Sequence, residues 1–345
     1  MKAIPLILLT IWFAYPFTLT REGGNEFLPV LGRKCSILAR ENGDFELWFY
    51  PFKAIYNGRI SFISSTGQTL NLSQISRQVI VSPAISSIIL NGEVMGRIDF
   101  LCSKEFPVSL FAFHLLENIA QKIIITFQPS LTLMWPAPTE GDLKYQKESP
   151  YLLHFSRLTG GKELKFSLLS NKPMNYQDGR MEIEVSGDDI CLAFSGGVGE
   201  EYEEMAKRYL DKPELLLEKN EKYENGFQAR TAEVRSSNPL LDEAFYWAKD
   251  GLDKCFVETA LGKGFVAGYH MAGDGNRPGF AWYFGRDSFW MGLAFLSFGD
   301  FSKVKDNLLL QKRFQIKEGN NKGKIYHELS LAHSFVPDPS YSYVA

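Results

Sequence analysis

From about residue 20 to 197 the chain is a succession of short apolar runs broken by turn-formers, and this pattern most restricts what it can fold into. The runs include Phe45-Glu46-Leu47-Trp48-Phe49-Tyr50, Arg97-Ile98-Asp99-Phe100-Leu101-Cys102, residues 108–115, and Lys122-Ile123-Ile124-Ile125-Thr126-Phe127. Residues 180–185 and 190–194 continue the series. Their β-branched and aromatic side chains suit a pleated, half-buried surface. Between them lie Asn42-Gly43-Asp44, Asn57-Gly58, Ser64-Ser65-Thr66-Gly67 and Asn91-Gly92, which supply the backbone freedom that tight turns require. Regular short strands with turn signals predict an antiparallel β-sandwich, and no helical period of useful length interrupts them.

Near Gly199 the composition changes. Residues 200–223 interleave Glu and Lys with Leu, as exposed connecting helices with i,i+4 charge pairs do. After Glu233 the period is helical: Asn238 is placed to cap, Pro239 to open the helix, and Leu241, Phe245, Ala248, Leu252 and Cys255 form one apolar stripe. Six glycines then fall between residues 262 and 279. Residues 288–298 are apolar nearly all round, which predicts a helix buried on both sides. Gly299-Asp300 separates it from a further helix over about 301–314.

The 345 residues exceed one ordinary domain. The expected division is a leader at 1–19, a sandwich at 20–198, a helical linker at 199–236 and a helical domain at 237–345. Residues 1–16 give a short basic start and an apolar run, as a secretory signal peptide does, with a buried N-terminal strand as the alternative. A secreted or periplasmic location follows from the leader. No other run is long enough to span a bilayer. A net charge of −3 without a basic block gives no footprint for nucleic acid. Cys35, Cys102, Cys191 and Cys255 are far apart, lack CxxC pairing and sit among apolar residues, so buried free thiols are expected and zinc is not. No metal or cofactor is expected.

The chemistry concentrates in Arg277-Pro278-Gly279-Phe280-Ala281-Trp282-Tyr283-Phe284-Gly285-Arg286-Asp287-Ser288-Phe289-Trp290, where six aromatic rings crowd an Arg–Asp pair. A guanidinium fork and a carboxylate together bind neighbouring hydroxyls with charge-assisted bonds. Flat rings stack on the apolar face of a pyranose. The plain structural alternative makes Asp287 a helix cap and Arg286 its partner. His327 and Glu328 are candidates for a subsite or structural role. His270 and Asp274, in the glycine-rich loop, and Asp338 and Tyr343, near the C-terminus, are further cleft candidates. No G-x-S-x-G or phosphate-binding loop is present.

Gly264-Phe265-Val266-Ala267-Gly268-Tyr269, the 277–288 stretch, Gly299-Asp300-Phe301 and Gly323-Lys324-Ile325-Tyr326-His327-Glu328-Leu329-Ser330 resemble the glycogen-debranching-enzyme-like glycosidases, amylo-α-1,6-glucosidase relatives of the glucoamylases. The segment 32–51 is similar to the β-sandwich of secreted bacterial members. The resemblance implies an N-terminal sandwich followed by an (α/α)6 barrel, and inverting hydrolysis of α-glucosidic linkages by a carboxylic acid and a carboxylate. It also implies that Arg286 and Asp287 bind hydroxyls of a terminal glucose. Trp282, Tyr283, Tyr269, His327 and Glu328 would line or adjoin that subsite. The 108 residues from 238 onward suffice for about three or four helices of a twelve-helix barrel. The expected architecture is therefore a sandwich plus the first part of the barrel, with the catalytic acid and base beyond residue 345. The expected partner is an α-glucan, and the alternative function is carbohydrate binding without catalysis.

Overall fold

The computed structural model describes residues 17–116, 120–200 and 202–336. The leader expected at 1–19 lies outside these residues up to position 16, and Asp338 and Tyr343 lie outside them as well. Leu19 already belongs to the first strand, paired with Val81.

The strands of the first part are β1 Leu19–Glu22, β2 Phe27–Leu31, β3 Cys35–Arg40, β4 Asp44–Phe49, β5 Phe52–Ser64, β6 Thr69–Asn71, β7 Ser76–Val81 and β8 Ser86–Asn91. They continue with β9 Gly96–Cys102, β10 Val108–Leu115, β11 Ala120–Leu133, β12 Leu143–Ser149, β13 Leu152–Thr159, β14 Lys162–Ser170, β15 Met174–Gln177, β16 Arg180–Glu184 and β17 Ile190–Val198. All pairings are antiparallel. One sheet has the order β1-β7-β8-β9-β10-β17-β14-β13-β12, the other β15-β16-β11-β5-β4-β3-β2 with β6 beside β5. The sandwich expected from the spacing of runs and turns is therefore present.

Period-two alternation explains how the apolar run of β10 is used. In β10, Phe111 and Phe113 point into the core between the sheets, while Val108, Leu110 and Ala112 point outward into a second core. That outer core is closed by Ala206, Tyr209 and Leu210 of α1 (Glu203–Asp211) and Leu216 of α2 (Pro213–Arg230). A sheet covered on both faces reads as near-continuous hydrophobic sequence.

The connecting helices differ from the expectation of a solvated face. α2 buries Leu216, Asn220, Glu224 and Phe227. Asn220 donates to the carbonyls of Ala84 and Cys102 at 3.2 and 3.0 Å, and Lys104 pairs with Glu224 at 3.1 Å. Burial, partly offset by Lys104 and reinforced by Asp250 and Asp253, pushes the Glu224 carboxyl up to about 7.

α3 (Pro239–Lys254) begins as expected, with Asn238 Oδ1 accepting from the Leu240 N–H at 3.1 Å. Its most buried residues are Tyr246, Lys249, Asp250 and Asp253; of the expected apolar stripe, Phe245, Leu252 and Cys255 are half-buried against hydrophobic clusters, while Leu241 and Ala248 are exposed. Asp253 is buried in a charge cluster that joins the two parts of the chain. Arg33, in the β2–β3 turn, reaches Asp253 Oδ2 at 2.6 Å and the Phe256 carbonyl at 2.7 Å. Lys303 meets Asp253 Oδ1 at 2.7 Å and Asp300 at 2.5 Å, and the Tyr223 hydroxyl donates to Asp253 at 2.9 Å. Burial alone would raise the Asp253 carboxyl, but Arg33 and Lys303 hold it well below the usual carboxylate range.

A hairpin follows, β18 (Phe256–Thr259) and β19 (Gly262–Phe265), then β20 (Tyr283–Phe284), α4 (Gly285–Phe298) and α5 (Phe301–Phe314). Gly299, with φ at +94°, ends α4 in the left-handed conformation. β21 (Glu328–Leu329) pairs with β20. Ser288, Phe295 and Phe298 of α4 are buried, whereas Phe289, Trp290, Leu293 and Leu296 are exposed, so the helix is covered on one side and not on both. The four cysteines are unpaired; Cys35, Cys102 and Cys191 are buried and Cys255 is half-buried.

Candidate functional site

The site is built where β20 and β21 bring residues 283–284 and 328–329 together, Phe284 opposite Glu328. Gly285 permits the approach, since a Cβ there would stand 2.3 Å from the Tyr326 carbonyl oxygen. Its N–H donates to the His327 carbonyl at 2.9 Å, which fixes the start of α4 against this segment. Arg286 and Asp287 then occupy the first turn of α4. Asp287 makes no capping bond; its partner is the Arg286 guanidinium at 3.4 Å, and Arg286 is 73% exposed. The pair is thus free to meet a ligand, and a carboxylate here is favoured by the helix dipole.

Glu328 is half-buried and held by Arg277 at 2.9 Å. The Arg277 guanidinium carbon lies 4.1 Å from the centre of the Trp282 ring and 5.7 and 5.8 Å from those of Phe284 and Phe280. Trp282 is buried and stacks at 5.1 Å on Trp135, a residue of the sandwich. The exposed His327 ring meets Phe284 edge-on at 6.0 Å. Phe280, 61% exposed, and Trp135 carry the aromatic surface to solvent. The Arg277 Nε and Trp282 Nε1 donors are buried with no hydrogen-bond partner among the described residues.

Other expected residues lie elsewhere. Tyr283 is fully buried; burial drives its hydroxyl well above the normal tyrosine range, and that group is occupied by the Gly262 carbonyl and Thr259 at 3.1 and 3.2 Å. Adjacent strand residues point to opposite faces, so Tyr283 leaves the shelf that Trp282 and Phe284 form. The Tyr269 hydroxyl is also buried, donating to the Lys254 carbonyl at 3.3 Å at the junction of the two parts. His270 stacks on Phe27, and Asp274 accepts from the Tyr56 hydroxyl.

The glycine-rich loop that delivers Arg277 is clamped by the sandwich. Glu46 accepts from the N–H groups of Ala272 and Gly273 at 3.0 and 2.7 Å and from the Trp48 indole at 3.0 Å. Lys53 donates to the carbonyls of Gly273 and Gly275 at 2.8 and 2.6 Å. Neither clamp residue nor Trp135 was expected at the site from sequence, and Arg277, which heads the aromatic stretch, had no role of its own there. The only local signal was the aromatic and glycine enrichment around them. Chemically, the shelf offers the exposed rings of Phe280 and Trp135 and two cation–carboxylate pairs, a set that fits a polyhydroxylated ring. Among the described residues no group of three or more His, Cys, Asp or Glu side chains converges as metal ligands do.

No protein-family model and no curated protein matches the chain. Solved structures do. A protein described as a kojibiose phosphorylase from the human microbiome is similar in fold, with a TM-score of 0.60 at 11% identity over 86% of this chain and 49% of that one. A bacterial glucoamylase complexed with acarbose is similar with a TM-score of 0.60 at 11% identity, over 92% of this chain and 56% of that one. The chain spans about half the length of these structures. The likeness is one of fold: a large antiparallel β-sandwich followed by helices.

Proposed function

We propose that this chain is the sandwich and first helical part of an exported glycoside hydrolase acting on α-glucosidic linkages of glucans, amylo-α-1,6-glucosidase-like and inverting. The observation that carries the reading is the start of α4, where the Arg286–Asp287 pair follows in the chain directly after Phe284, the strand partner of Glu328, which Arg277 holds within its aromatic surround. The fold likeness supports it, and so does the sequence resemblance of the 277–288 and 323–330 segments.

In this reading Arg286 and Asp287 hold hydroxyls of a terminal glucose through charge-assisted hydrogen bonds. Arg277 orients Glu328, which keeps lone pairs available beyond those given to the guanidinium. Inversion requires two carboxyl groups roughly 6.5–9.5 Å apart, one protonating the leaving oxygen and one activating water. Glu328 is committed to Arg277, which gives it a binding role rather than proton transfer. The side chains of the shelf therefore hold sugar hydroxyls and do not cut the bond.

Calorimetric titration with maltose and isomaltose tests this. Weak binding by the wild type, reduced at least about tenfold in Asp287→Ala, is expected for one lost charge-assisted contact. A folded wild type that binds neither sugar would overturn the reading.

A further inference from the structure

Trp135 belongs to the sandwich, just after β11, yet its backbone is bonded to the other part of the chain on both sides. Its N–H donates to the Asn276 carbonyl at 3.0 Å, and its carbonyl accepts from Ser330 Oγ at 2.9 Å. Its indole lies within 4° of parallel to that of Trp282 at 5.1 Å, and it still exposes 43% of its surface. Exposed side chains normally lose rotamer freedom when a ligand orders them, and a ring already held by two backbone bonds and a stack avoids much of that cost. The Arg277 guanidinium lies over the ring, 5.9 Å from its centre, and Glu328 brings acceptors next to its donors. A flat apolar face bordered by convergent polar groups is how sites for small polar ligands are constructed.

We propose that Trp135 is a stacking platform for a pyranose ring of an α-glucan, so that the sandwich supplies one wall of the carbohydrate site. The inference rests on the carbohydrate reading above and adds a second subsite to it. Asp287 and Arg286 grip one glucose, while Trp135 takes another unit of the same chain. The ligand class is therefore an α-linked oligosaccharide, and affinity should grow with its length. The neighbouring clamp gives the platform a fixed position, because Asn276 belongs to the loop whose residues 273 and 275 are held by Lys53.

Titrations of the full chain with maltose and maltotetraose separate the two claims. The wild type is expected to bind maltotetraose about tenfold more tightly than maltose, the gain of one good additional contact. Trp135→Ala should erase that gain. Trp135→Phe, which keeps a smaller ring, should retain part of the gain; it also carries the test if the alanine variant does not fold. Asp287→Ala should weaken both sugars. Equal maltotetraose binding by the wild type and Trp135→Ala, with Asp287→Ala impaired, would overturn the platform and leave the carbohydrate reading standing. Absence of binding to either sugar by the folded wild type would overturn both.

Discussion

The sandwich and the α4–α5 pair bury apolar surface to different degrees. In the sandwich, the middle of the nine-stranded sheet is covered on both faces, one by the second sheet and the other by α1 and the start of α2. In the helical part, Phe295, Phe298 and Val304 gather with Phe227, Phe256 and Phe265 in a small core, while Phe289, Trp290, Leu293, Leu296, Phe301, Leu308 and Leu309 face outward. Trp290 alone exposes 69% of its surface. A contiguous apolar face of this kind is a surface that associates. The sandwich is closed by its own strands and helices, whereas the helices depend on the sandwich for position and leave one face open. The charged cluster around Asp253 and the clamp at Glu46 are what attach the open part to the closed one.

The largest effect should come from that attachment. Asp253→Ala strands Arg33 and Lys303 in a buried site, and removing one partner of such a cluster costs about 3–5 kcal/mol. Chemical denaturation should show this loss. If the helical part were independently stable, the variant would instead lose only a few tenths and the dependence described above would be broken.

The smallest effect on stability should come from the open face. Trp290→Glu together with Leu293→Glu replaces exposed side chains, so the unfolding free energy should stay within about 0.5 kcal/mol per site. Self-association should fall sharply, read by sedimentation or light scattering. A wild type that is already a monodisperse monomer at high concentration would show that the face does not associate.

The strands were legible because alternation and turn chemistry are local. α5 was expected over about 301–314 and spans Phe301–Phe314. The α3 start was readable from Asn238-Pro239 for the same reason. What sequence did not disclose depends on distant partners. Strands β20 and β21 have two residues each, too short for a period to register, yet their pairing places Glu328 beside the start of α4. Glu46 and Ala272 are 226 positions apart, and Trp135 and Ser330 are 195 apart. No local pattern records such contacts. The apolar stripe of α3 told only part of the story, because the buried Asp253 is satisfied by Arg33, Tyr223 and Lys303 from other elements. Tyr283 misled in a simpler way: its neighbours Trp282 and Phe284 face the shelf, and strand alternation turns it to the other side.

The central claim is that a glucan is bound at the junction of the two parts, between Trp135 and the first turn of α4. Amide hydrogen exchange with and without saturating maltotetraose tests this directly. The account predicts added protection in residues 133–137, 276–288 and 326–330, with the outer face of the nine-stranded sheet around His154 unchanged. Protection confined to that outer face, or absent under conditions where calorimetry detects binding, would contradict it.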